Sequence, residues 1–88
     1  MIIYNVMEGI VKKEVNHLIE SRHYTGCICE KCRADIIAIT LNLLPSKYVV
    51  TKEGELISQV EATMPQNQAD LLAAVVTASK LVQASPRH

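Results

Sequence analysis

Tryptophan and phenylalanine are absent from this chain of 88 residues, and tyrosine occurs only three times. Hydrophobic residues nevertheless make up 49% of it. The interior therefore has to be built from Ile, Leu, Val and Ala, which pack most easily between helices. Net charge is also missing, since nine basic and nine acidic residues cancel. The chain thus lacks the positive field that supplies most non-specific affinity for nucleic acid or anionic membrane, and no direct binding to a nucleic-acid polymer is expected. With only three glycines there is no Gly-rich phosphate loop, and no Ser/His/Asp set can be argued from spacing, so no enzyme is expected. The apolar N-terminal stretch is interrupted by Asn5, Glu8, Lys12, Lys13 and Glu14. It offers neither a secretory core nor the run of about 20 apolar residues that a membrane helix needs, and a cytoplasmic location is the expectation.

No linker, repeat or low-complexity tract divides the chain, so residues 1–88 read as one domain. A domain of this size buries only about 60 to 65% of its unfolded surface, which calls for an additional brace. Its apolar fraction is high for so little interior volume, and a second subunit covering part of that surface, a homodimer, is expected.

What the chain does have is Cys27-Ile28-Cys29-Glu30-Lys31-Cys32. A C-x-C-x-x-C run lets one short turn aim three sulfurs at a point, and thiolates in tetrahedral geometry favour Zn²⁺. An odd number of cysteines clustered in one place argues against a disulfide framework and for reduced thiols. Free thiols are usually buried as small hydrophobes, whereas Glu30, Lys31 and Arg33 make this loop polar. Lys31 and Arg33 also offset the charge of a trithiolate. The fourth ligand is open between His88, His23, Asp35 and water. His17 reads as a surface residue of the first helix. A fully ligated site would be structural, because catalytic zinc keeps an open position.

Apolar residues at three- and four-residue intervals (Ile3, Val6, Met7, Ile10, Val11, Val15, Leu18) predict a helix over residues 2–21. A second apolar block over residues 34–45, ended by Pro45, reads as a buried helix at the centre of the fold. Lys47 to Thr51 has extended propensity, and Glu53-Gly54 reads as a turn. Residues 55–63 fit a short helix or another extended piece. Pro65 suits the first turn of a last helix over residues 66–84, ended by Ser85-Pro86. The expected fold is all-α, a small helical domain with a Cys-rich metal loop between its first two helices. Thr40 and Asn42 sit in the apolar block, where an unpaired polar group costs about 1 to 3 kcal/mol. Each therefore needs a partner, either a backbone carbonyl or a ligand.

The segment from Cys27 to Val49 resembles the signature of the bacterial late competence protein ComFB family. The cysteine triplet occurs there with Asp35-x-x-Ala38-x-x-Leu41-Asn42 and Pro45-x-x-Tyr48-Val49, and Asn5-Val6-Met7-Glu8 and the last helix also suit it. The resemblance implies a small all-α, zinc-binding cytoplasmic homodimer linked to natural competence. Through some relatives it also implies reception of a cyclic dinucleotide such as c-di-GMP or c-di-AMP. Family members with a fourth cysteine carry it after the last helix. This chain departs there, and His88 is the nearest local substitute. For a cyclic dinucleotide, phosphates want Arg or Lys and base edges want Asn, Asp or Thr. A two-fold ligand suits a two-fold dimer. Arg33, Asp35, Asn42, Lys47 and Tyr48 are the nominated site, with Tyr48 stacking a base or serving the core. The alternative is a structural zinc-braced adaptor for an unidentified protein partner. A thiol redox switch is a third reading.

Overall fold

The computed structural model describes residues 2–21, 24 and 26–85. In chain order it forms β1 (Tyr4–Asn5), α1 (Met7–Glu20), α2 (Glu30–Leu43), β2 (Tyr48–Val49), α3 (Lys52–Ala62) and α4 (Pro65–Ala84). The fold is thus mostly helical, as expected, with the cysteine cluster between α1 and α2. Two departures concern its N-terminus and its middle.

The first helix begins at Met7 rather than Ile2. Tyr4 and Asn5 instead pair antiparallel with Val49 and Tyr48. The Asn5 Oδ1 accepts from the amides of both Met7 (3.1 Å) and Lys47 (2.8 Å). One side chain therefore ties the first amide of α1 to the extended connector beside it. The ribbon removes the first residues from the helical period that their apolar pattern suggested.

The second departure is α3. Glu53 and Gly54, expected as a turn, lie in its first helical turn. Thr51 is the N-cap, its hydroxyl accepting from the Gly54 amide at 3.0 Å. Glu53 and Glu55 place negative charge at the positive end of the helix dipole. A Cβ at Gly54 would lie 3.2 Å from the capping Thr51 hydroxyl and 3.4 Å from Cβ of Val49. At the far end, α4 supplies the missing partners for the last carbonyls of α3. Asn67 donates to Glu61 O at 2.7 Å and Gln68 to Ala62 O at 3.0 Å. Pro65 occupies the first turn of α4, where no amide is required.

The core is a three-helix contact in which α2 packs on both α1 and α4. Val11 and Val15 from α1 meet Cys32 and Ile36 from α2, and Leu71, Val75, Ala78 and Val82 from α4. Ala74 and Ala78 keep the α4 surface low enough for close approach. In α2 the fully buried positions form a single row, Cys32, Ile36 and Thr40. Thr40 resolves its own cost by donating to the Ile36 carbonyl at 2.7 Å. Asn42 is exposed to solvent. The helix is central as predicted, but Leu43 at its end remains half exposed.

The ribbon is tied to α3 by one polar contact that makes stability depend on pH. The Tyr4 hydroxyl donates to Glu55 Oε2. That bond holds the Glu55 carboxyl below its ordinary 4.5 and raises the Tyr4 phenol above its ordinary 10.0. A depressed carboxyl contributes stability above pH 4.5 that is lost as pH falls through its folded value. A raised phenol contributes stability below pH 10 that is lost as pH rises through its folded value. Tyr4→Phe is therefore expected to melt below wild type across the neutral range, with the gap closing at both acid and alkaline extremes. A gap of constant size at all pH values would show that the contact does not carry it. Carboxyl NMR titration should show Glu55 returning toward 4.5 in the variant.

Candidate metal centre

Three devices shape the α1–α2 loop so that its thiols converge. Ser21 ends α1, its amide within 3.1 Å of the His17 and Leu18 carbonyls and its hydroxyl 2.7 Å from Leu18 O. Tyr24, packed against the edge of the core, donates from its hydroxyl to Cys27 O at 2.8 Å. Gly26 lies under the end of α4, where a Cβ would come within 2.6 Å of Gln83 Cγ and 2.8 Å of the Tyr24 hydroxyl. A larger residue would have to displace the Gln83 side chain, and this contact brings the end of the last helix beside the loop.

Cys29 is the N-cap of α2, its Sγ accepting from the Cys32 amide at 3.4 Å. A sulfur stands where Ser or Asp usually caps, so the helix start and the thiol cluster are one piece of structure. The Sγ atoms of Cys27, Cys29 and Cys32 all lie within 4.8 Å of one another. Tetrahedral zinc with bonds of about 2.3 Å would set its sulfurs about 3.8 Å apart, so the present spacing needs only a small contraction. Cys27 and Cys29 are exposed, whereas Cys32 is buried within the helical core.

These environments split the thiols chemically. Burial, reinforced by hydrogen bonds with Cys27 and Cys29, pushes Cys32 up to about 12. The Cys32 amide, and then the Cys27 side chain, lower Cys29 below its ordinary value. A buried thiol raised so far has no role as a free nucleophile, but a cation beside it would hold its sulfur as thiolate. The donor set therefore fits a soft or borderline metal ion bound through thiolate. Among the described residues these three cysteines are the one close group of metal-type donors. Of the candidate fourth ligands, His23 and His88 lie outside the described residues, and Asp35 is not in the close donor group.

The two cations beside the loop are engaged. Lys31 Nζ pairs with Asp35 Oδ1 at 2.8 Å, and Arg33 Nη1 donates to Asn16 Oδ1 at 2.7 Å, which binds α2 to α1. The nominated nucleotide residues fall into two sets. Arg33 and Asp35 lie near the cysteine end of α2. Asn42 lies about 14 Å from Arg33 and about 10 Å from Asp35 along the helix axis by its rise per residue. Lys47 and Tyr48 follow at the ribbon, where Lys47 Nζ pairs with Glu61 Oε1 at 3.3 Å and Tyr48 is exposed. Within one chain the five do not surround a common point.

Sequence reasoning missed the concave site at that second end. A pocket of about 220 Å³ opens where α1, the α2–β2 connector, α3 and α4 meet, with Leu44, Lys47, Ser58, Glu61, Asn67 and Asp70 in its wall. No spacing rule links these residues, because they come from three different elements. Only the buried Ser58, polar on the inward side of α3, hints at a cleft there.

Comparison with curated proteins gives no match. The solved structure of the late competence protein ComFB from Bacillus subtilis is similar, with a TM-score of 0.80 and 22% sequence identity. The alignment covers 97% of this chain and 94% of that one. At that identity the likeness speaks for the fold. The family described as late competence development protein ComFB matches residues 4–86, nearly the whole chain, cysteine cluster included. The chain therefore belongs to the ComFB family of late competence development proteins.

Proposed function

We propose that this protein is a non-enzymatic, zinc-braced dimeric module of the cytoplasm that receives a cyclic dinucleotide and passes that state to a protein partner in natural competence. The observation that carries the reading is the placement of Cys32, at once a member of the thiol cluster and of the hydrophobic core. A metal held there would brace three helices, and a fourth ligand from the chain would make the site a structural one. Cys27, Cys29 and Cys32 would hold the ion, and His88 is the proposed fourth ligand. The close packing of Gly26 on Gln83, which brings the end of α4 to the loop, supports that choice.

Support for nucleotide reception is the cation and aromatic pair at the ribbon. Lys47 lies in the wall of a mostly apolar pocket, and the exposed Tyr48 follows it in the chain. Lys47 would serve a phosphate and Tyr48 a base face, while Arg33, Asp35 and Asn42 along α2 would be completed from the second subunit. No described helix is long and apolar enough to cross a membrane.

Native mass spectrometry with c-di-GMP and c-di-AMP in competition tests the reading. The expected spectrum is a dimer with one zinc per chain and added nucleotide mass. Lys47→Ala is expected to weaken that binding by at least about tenfold, the scale of one charge-assisted hydrogen bond. A zinc-loaded dimer that takes up neither nucleotide would leave the adaptor reading, which the exposed apolar residues of α3 favour.

A further inference from the structure

Three polar residues are buried among those described, Thr40, Ser58 and Ser79. Thr40 and Ser79 satisfy their hydroxyls on helix carbonyls, at 2.7 and 2.9 Å. Ser58 does not. It is 6% exposed, and its hydroxyl takes no partner among the described residues. Instead it lines the pocket beneath the α2–β2 connector, together with Met7, Ile10, Leu44 and Leu71. A buried hydroxyl left unmet is destabilising, and water is a poor remedy, since a bound water wants about two to four polar partners and the apolar part of this wall offers none. Charge is uneven around the same pocket. Lys47 is already answered by Glu61 at 3.3 Å. Asp70 adds a second carboxylate to the wall, and it accepts from the neutral Gln66 amide at 3.1 Å. One ammonium against two carboxylates leaves the lining negative.

We infer that this pocket binds a small organic cation, a primary amine on a compact apolar body that ends in a hydroxyl or carbonyl. The ammonium meets Glu61 and Asp70, the body lies against Met7, Ile10, Leu44 and Leu71, and the far polar group bonds Ser58. Size narrows the class. An apolar cavity of about 150 Å³ takes benzene, so a pocket of about 220 Å³ takes one ring with a short arm. A whole cyclic dinucleotide is too large for it. Although Lys47 borders both, the amine site is separate from the nucleotide reading above and stands or falls without it.

Tyramine, with its ring, ammonium and phenol, is the probe. Titrated into the full chain and followed by NMR, it should shift the methyls of Met7, Ile10, Leu44 and Leu71 with a Kd below about 1 mM, within the range for about ten heavy atoms. Its acidic counterpart p-hydroxyphenylacetate should bind at least about tenfold more weakly, because the lining repels it. Asp70→Asn should weaken tyramine about two- to fivefold and reduce its salt dependence. Ser58→Ala should weaken it about three- to tenfold while melting at or above the wild-type temperature, since no bond within the chain is lost. A merely structural serine would show the reverse, a lower melting temperature at unchanged affinity, and that result would overturn the role of Ser58. Binding of p-hydroxyphenylacetate as tight as that of tyramine would overturn the cation class. Shifts scattered over other faces, or none up to about 10 mM tyramine, would overturn the site itself. A chain that took up nucleotide yet ignored tyramine would lose this site and keep the reading above.

Discussion

Replacing Cys32 with serine is expected to remove the metal proposed at the thiol cluster and to give the lowest melting temperature of the cysteine variants. Structural zinc is worth about 10 to 16 kcal/mol in small thiolate sites at neutral pH, comparable to or larger than the about 5 to 15 kcal/mol that separates folded from unfolded domains. Cys32 adds a second cost, because it is 1% exposed and packed among Val11, Ile36 and Val75. A serine there buries a hydroxyl in an apolar site. The two costs separate experimentally. Chelator treatment of wild type should reproduce the metal loss without the buried hydroxyl. Cys27→Ser should lose metal without burying a hydroxyl, since Cys27 is exposed. The expected order of melting temperature is wild type, then Cys27→Ser and chelated wild type together, then Cys32→Ser. Metal content per chain and thermal melts by circular dichroism read both. A Cys32→Ser protein that retains one metal and the wild-type melting temperature would sink the structural-metal proposal.

The thiol cluster was legible because its spacing is local. Three cysteines in six residues stay within reach of one another by chain connectivity, and the fold then turns them to one point. The helices α1, α2 and α4 were legible for a related reason, each carrying an apolar period long enough to read. Where the pattern misled, long-range contacts overrode it. Ile3 continues the α1 stripe, but Asn5 finds better partners in Met7 and Lys47, forty-two residues away in the second case, and the ribbon wins. Helix α3 could not be read because its apolar residues face away from the chain's own core, so a one-chain reading saw only weak alternation. The pocket beneath the α2–β2 connector was illegible for the same reason, being assembled from residues that only tertiary packing joins. The proposed nucleotide residues illustrate the limit of reading along a line. Arg33 and Asn42 are near in sequence and share a helix, yet that helix holds them apart.

Ile36→Ala is expected to lower unfolding free energy by about 2 to 5 kcal/mol, the range for deleting a fully buried aliphatic side chain and leaving a cavity. Ile36 is 0% exposed and sits midway along the single buried row of α2, between Cys32 of the thiol cluster and the carbonyl-bonded Thr40. It touches the core where α1 and α4 approach α2 from both sides, so no one neighbour can move in to fill the space without losing contact elsewhere. Sequence alone treats Ile36 and Ile37 as equivalent, yet α2 turns Ile37 toward a partly exposed position. Leu43, at the helix end, is 51% exposed. Urea unfolding of the metal-loaded protein at one fixed concentration should therefore rank the losses as Ile36→Ala, then Ile37→Ala, then Leu43→Ala, the last near 0.5 kcal/mol or less. If Ile37→Ala proved as costly as Ile36→Ala, burial within one chain would not account for it, and the excess would measure how far a second subunit covers the flank of α2. The same series on chelated protein would then show whether the core stands without its metal. Because Cys32 and Ile36 are one turn apart on one buried row, their effects should couple by about 0.5 to 3 kcal/mol rather than add.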